Sequence, residues 1–172
     1  MNQRSERPLI LGVSASHHDT SAVLLRGREV MAALEEERAN RVKHTNAFPV
    51  EAIRFCLQEA GVSFFDVDRI CLNVAEEFVV RRIAEQASSQ IVPTSLTPRS
   101  QVVQRFRSAG LDLDPVKLRF VPHHVAHAAS AWFLSGLTEA LVVSLDGVGD
   151  DSELDTASGI IFTANDSGMK RL

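Results

Sequence analysis

Leu9-Ile10-Leu11-Gly12-Val13, Ser21-Ala22-Val23-Leu24-Leu25 and Glu29-Val30-Met31-Ala32-Ala33-Leu34 are three short apolar runs close together in the chain. Arg26-Gly27-Arg28, a tight-turn signal, separates the second from the third. Runs of five or six apolar residues bounded by turn residues read as strands, so the chain opens as an antiparallel meander. The link between the first two is unusual. Ser14-Ala15-Ser16-His17-His18-Asp19-Thr20 concentrates hydroxyls, imidazoles and a carboxylate where a plain hairpin needs only turn formers.

Downstream the period changes. Pro49 suits a first helical residue and Gly61 a stop, and Ile53, Phe55, Cys56, Leu57 and Ala60 between them recur near the 3.6 spacing. A short strand at Ile70-Cys71-Leu72, a helix over 75–87 and a loop over 91–99 follow. Ser100 then caps a helix ended by Gly110, Leu118 to Val121 reads as a buried strand, and a helix runs from about His124 to Leu134. Such alternation predicts an α/β fold, a mixed sheet flanked by helices, with the later strands joined through helical crossovers.

From Leu141 the pattern restarts: a strand to Leu145, an acidic glycine-containing turn from Asp146 to Asp155, a strand from Ser158 to Thr163, and a third opening at Met169. The expected division is a polar lead-in over 1–8, a first lobe over 9–136, and the start of a second, incomplete lobe over 137–172. The strands of that second lobe bring no helices of their own, so other residues must cover them.

Composition narrows the class. Of 172 residues, 45% are hydrophobic and 23% charged, which excludes wholesale disorder. A net charge of −4 argues against nucleic acid as a partner. No apolar run approaches the roughly 18 residues of a membrane span, so a cytoplasmic protein is expected. Cys56 and Cys71 lack metal or redox spacing and read as buried thiols.

The sharpest chemical signal is His123-His124-Val125-Ala126-His127, three of the six histidines within five residues. On a helix, His123 and His127 share a face and can share one divalent ion, while His124 points elsewhere. Spacing alone leaves metal binding and coincidence evenly matched. Asp146, at the end of an apolar strand and ahead of Gly147 and Gly149, is the carboxylate that could complete the site. In the Ser14–Ser21 link, backbone N–H, Ser and Thr groups could cradle an anionic phosphate or a carbonyl oxygen, with His18 as general base or hydrogen-bond donor, or the link is a solvated turn in which Asp19 and Thr20 cap local backbone. The charge run from Glu35 to His44 reads first as a solvated face. Lys43 within it is a candidate for an anionic substrate.

Taken together, Gly12–Ala22, Glu35–Arg38 with Arg41-Val42-Lys43-His44, Phe48-Pro49, His123–Ala131 and Asp146–Gly149 form an ordered set. The set resembles the N-terminus of the O-carbamoyltransferases of antibiotic and nodulation-factor biosynthesis, from about residue 9 onward. The resemblance implies a lobe of the ribonuclease-H-like, actin-like ATPase and sugar-kinase architecture, related to the enzyme that places threonylcarbamoyl on tRNA adenosine. It implies that a separate domain makes carbamoyl-adenylate from carbamoyl phosphate and ATP. The two-lobed domain then passes the carbamoyl group to a hydroxyl of a small molecule with a bound Fe2+ or similar ion.

Carried onto this chain, His123, His127 and Asp146 are the expected metal ligands, and His18 and Lys43 the expected catalytic residues. Ser14, Asp19, Thr20, Ser21, Arg41, Gly147 and Gly149 are the expected substrate- and nucleotide-binding residues. Thr20 stands where a serine is usual. Family members are several hundred residues long, so further C-terminal segments, in cis or in trans, are expected partners for catalysis, and a homodimer stays open. Two other readings remain: a non-catalytic docking module, and a homologue acting on tRNA.

Overall fold

The computed structural model describes residues 7–15, 19–79, 97–150 and 156–172. These divide into two compact units, one from residues up to Asn73 with Arg99–Phe120, the other from Val74–Pro98 with Val121–Leu172.

The first unit is built on the meander read from the sequence. Strands β1 (Leu9–Ser14), β2 (Ser21–Arg26) and β3 (Glu29–Glu35) pair antiparallel in the order of the chain. Strands β4 (Arg69–Leu72) and β5 (Leu118–Phe120) then add in parallel on the other side of β1, giving the order β3-β2-β1-β4-β5. Parallel neighbours need long crossovers. These come after helices α1 (Glu36–Asn40) and α2 (Val50–Glu59), and again after α3 (Pro98–Ser108). Alternation along β1 buries Leu9, Leu11 and Val13, and Ala52, Ile53, Cys56 and Leu57 form the buried stripe of α2. Helix α3 begins at Pro98, two residues before the expected cap at Ser100, because proline is tolerated in a helix's first turn. Beyond Val79 the expected helix over 75–87, and most of the loop over 91–99, lie outside the described residues.

The second unit differs from expectation in two ways. Strand β6 runs from Glu139 through to Asp150, so Asp146, Gly147 and Gly149 belong to a strand and not to a turn. Pairing with β7 (Thr156–Asn165) overrides the local turn chemistry: Gly149 stands opposite Ala157 and Asp150 opposite Thr156, after a register shift between Leu145 and Gly149. Strand β8 (Gly168–Arg171) completes a sheet of order β6-β7-β8. The second difference is that this sheet has its own helix. Helix α4 (His123–Ser135) packs on β6 and β7. Ala128 and Trp132 there join Val142, Ile160, Phe162 and Ala164 in one buried cluster. The division expected at residue 136 leaves α4 with the first segment, whereas its contacts put it with the second. Gly136, with φ of 72°, ends the helix in the left-handed conformation that glycine adopts without strain.

Candidate metal centre

Helix α4 carries two stripes, each with four-residue spacing. His124, Ala128 and Trp132 form the buried one, and His123 with His127 forms its neighbour at the rim. Facing them, β6 alternates as a strand should: Val142 and Ser144 are buried, while Leu141, Val143 and Leu145 lie exposed on the far face. Asp146 continues the inward series and reaches the rim where the two imidazoles stand.

There three donor atoms converge. His123 Nε2 lies 2.7 Å from Asp146 Oδ2 and 3.0 Å from His127 Nε2, and His127 Nε2 lies 3.3 Å from the same carboxylate oxygen. Three donors about 2.1 Å from one ion, on an octahedral face, are about 3.0 Å apart from one another. The measured spacings bracket that value. The donor chemistry agrees with it. Three lone-pair-bearing atoms point into one small space, and protons on two imidazoles cannot satisfy every pair, whereas one cation can. Two histidines and a carboxylate on a shared face form the donor set suited to Fe2+ and related divalent ions. The hydrogen bond from His123, with the Gly147 N–H at 2.6 Å from Asp146 Oδ1, holds the Asp146 carboxyl down to about 2. A carboxylate is thus available throughout the neutral range.

The remaining expected residues lie in the first unit. Ser14 and Ser21 stand opposite each other at the end of the β1–β2 ladder, and Ser21 in turn faces Glu35 across to β3. The Ser14 hydroxyl accepts a hydrogen bond of 3.3 Å from the Asn73 amide at the end of β4. The link after β1 and the charge run after β3, separate motifs in the sequence, meet here. His44 Nδ1 lies 2.9 Å from Asp19 Oδ1, and the His44 N–H donates to Glu37 Oε2 at 2.9 Å. Arg41, with φ of 62°, closes α1 by donating its N–H to the Glu37 carbonyl, and Lys43 is exposed on the loop that follows.

Thr20, expected at a ligand, is a buried tie instead. It is 1% exposed, and its hydroxyl donates to the Ala47 carbonyl at 2.8 Å. His18 lies outside the described residues.

Four further residues contribute that the sequence reading does not single out. Glu36 is 3% exposed, and its carboxylate accepts from the N–H groups of Ala52 and Glu51 at the start of α2, at 2.8 and 3.4 Å. Only Pro49 and the missing Ser, Thr, Asp or Asn cap ahead of Val50 could have signalled that need. His124 and Ser144 are joined at 2.7 Å inside the second unit. Gly159 sits where a Cβ would come within 2.7 Å of Leu145 Cδ2 and 2.9 Å of the Ser144 carbonyl oxygen.

A nodulation protein, NolNO, of Sinorhizobium fredii is 38% identical over 160 residues, covering 90% of this chain and 22% of its own length. An uncharacterized protein of Synechocystis is 34% identical over 168 residues, covering 87% of this chain and 27% of its own. The chain therefore spans about a quarter of the length of these relatives. Among solved structures, YeaZ from Pseudomonas aeruginosa superposes with a TM-score of 0.52 at 17% identity, over 96% of this chain and 64% of that one. This likeness supports the actin-like α/β fold alone. Residues 9–157 match the family described as the carbamoyltransferase N-terminus, and the chain belongs to that family.

Proposed function

We propose that this chain is the metal-holding part of an O-carbamoyltransferase, which moves a carbamoyl group from carbamoyl-adenylate to a hydroxyl of a small molecule. The observation that carries the reading is the convergence of His123, His127 and Asp146 within 2.7 to 3.3 Å. A divalent ion held there, Fe2+ by preference of the donor set, supplies Lewis-acid polarisation of the carbamoyl carbonyl.

The chain's own residues do the rest. Asp146 stays ionised and keeps its oxygen on the two imidazoles. In this reading His18 takes the proton of the attacking hydroxyl, and Lys43 and Arg41 bear on the negative charge of the adenylate. The carbamoyl carbon gains the acceptor oxygen and loses AMP. Carbamoyl phosphate and ATP are the source of the adenylate, made by segments beyond those of this chain.

The test supplies the chain with carbamoyl-adenylate and a hydroxyl-bearing acceptor. Fe2+ content and carbamoyl transfer are measured with and without His127→Ala. Both are expected to fall together, and full transfer by a variant with no bound metal would remove the role.

A docking module is the second reading. Leu141, Val143, Leu145 and Ile161 are exposed on the face of β6 and β7 away from α4. Metal-free wild-type protein that still binds a partner segment would favour it. Among the described residues no helix is long and apolar enough to cross a membrane.

A further inference from the structure

We infer that His124 and Ser144 form a positioning pair that fixes helix α4 in one register on strand β6, and so sets the triangle of donors at the rim. The role rests on the metal reading above and deepens it.

His124 is fully buried, and its Nδ1 lies 2.7 Å from the Ser144 hydroxyl, itself buried. The two groups flank the donors along both elements. His124 follows His123 directly and precedes His127 by three residues, while Ser144 precedes Asp146 by two on the same face of β6. The His124 ring centroid is 5.6 Å from that of His123 and 6.4 Å from that of His127. One hydrogen bond therefore ties together the backbones that supply all three donors.

Stability alone would not choose an imidazole here. The next two residues of the same stripe, Ala128 and Trp132, dock on hydrocarbon. Burying a polar ring costs free energy that its hydrogen bond only offsets, so an apolar residue would serve packing at least as well. Hydrocarbon contacts tolerate sliding, whereas a hydrogen bond has a fixed length and direction. Moving α4 by a single residue along its axis, about 1.5 Å, would break the bond. A shift of that size would also take the imidazoles out of reach of Asp146. Ser144 acts on the centre through backbone placement, and His124 acts through backbone placement together with its ring contacts to His123 and His127.

The experiment is Co2+ titration of the full chain, followed by visible absorption, with Trp132 fluorescence reporting that the second unit is folded. Ser144→Ala deletes only the hydroxyl and is expected to weaken Co2+ about tenfold, the low end for groups that orient metal ligands. Its Co2+ spectrum should also change shape. Phe162→Leu, in the same core but off the hydrogen bond, is expected to lower the thermal midpoint as far and leave Co2+ affinity within about twofold. Ser144→Thr keeps the hydroxyl and should restore the wild-type spectrum. His124→Gln is the second deletion, read in the same way if Ser144→Ala does not fold.

Unchanged affinity in both deletions, or equal losses in Ser144→Ala and Phe162→Leu, overturns the positioning role. Co2+ bound by the wild type and lost with His127→Ala keeps the metal reading even then. A wild-type chain that takes up no Co2+ overturns the metal reading and the pair with it.

Discussion

Among the described residues, two groups of carboxylate and imidazole come close enough to share an ion, and they are built differently. Asp19, Glu37 and His44 have donor atoms within 4.8 Å of one another, as do His123, His127 and Asp146. In the first group His44 sits on a loop at φ of 52° with its ring 74% exposed, and its own N–H occupies the Glu37 carboxylate. That group clasps a loop. In the second, adjacent turns of one thirteen-residue helix and one strand present the side chains, with Asp146 next to the register shift that follows Leu145. Donor proximity is therefore a weaker criterion than the rigidity of what carries the donors.

The sharpest way to break this contrast is to remove one imidazole from each group. His127→Ala is expected to lower Co2+ affinity of the chain at least about 100-fold, since one of the three proposed ligands is lost. His44→Ala should leave it within about twofold. Calorimetric titration of both variants decides, and a comparable loss in His44→Ala would make the loop group a site too.

Gly159→Ala comes next. The added methyl meets the Ser144 carbonyl oxygen at 2.9 Å, and backbone there must shift. The expected cost is about 1–3 kcal/mol of stability. It should be accompanied by weaker Co2+ binding, because the same strand carries Asp146. Denaturant unfolding read by Trp132 fluorescence, with the titration repeated, checks both.

Glu36→Ala probes the first unit. It strips the start of α2 of its acceptor and should cost about 1–2 kcal/mol in urea unfolding followed by circular dichroism. Glu36→Gln, which keeps an acceptor, should lose less.

The smallest effect concerns pH. Burial pushes the thiols of Cys56 and Cys71 up from 9.0. Each keeps its proton more firmly when folded than when unfolded. Their contribution is thus fully present below about 9 and lost as pH rises beyond it. Urea midpoints at pH 8 and 10 should differ less in a Cys56→Ala, Cys71→Ala double variant than in the wild type.

Much of this was legible in the residues. The meander over 9–35 followed from run length and turn signals, and the imidazole pair of α4 from its spacing. What failed had physical causes. The acid and glycine residues over 146–150 look like a turn by propensity, but pairing to residues 156–157 is a long-range contact that no local window contains. Helix α4 precedes the strands it packs on, so the match of its buried stripe to Val142, Ile160 and Phe162 is a contact that chain order does not show. Glu36 hid inside a charge run whose ordinary meaning is solvent. His124 was set aside as pointing elsewhere, which is true of its direction and says nothing of its partner.

The contact of Ala128 with the sheet has a last consequence. At 1% exposure in the buried stripe of α4, it is one of the smallest side chains between helix and strands. Its size sets how closely α4 lies against β6, and hence the gap between two rings rooted in one element and a carboxylate rooted in the other. A methyl group that never sees solvent acts as the shim of the triangle above it. Bulk at residue 128 would lengthen the two nitrogen-to-oxygen sides of that triangle, leaving the nitrogens together and moving the oxygen away.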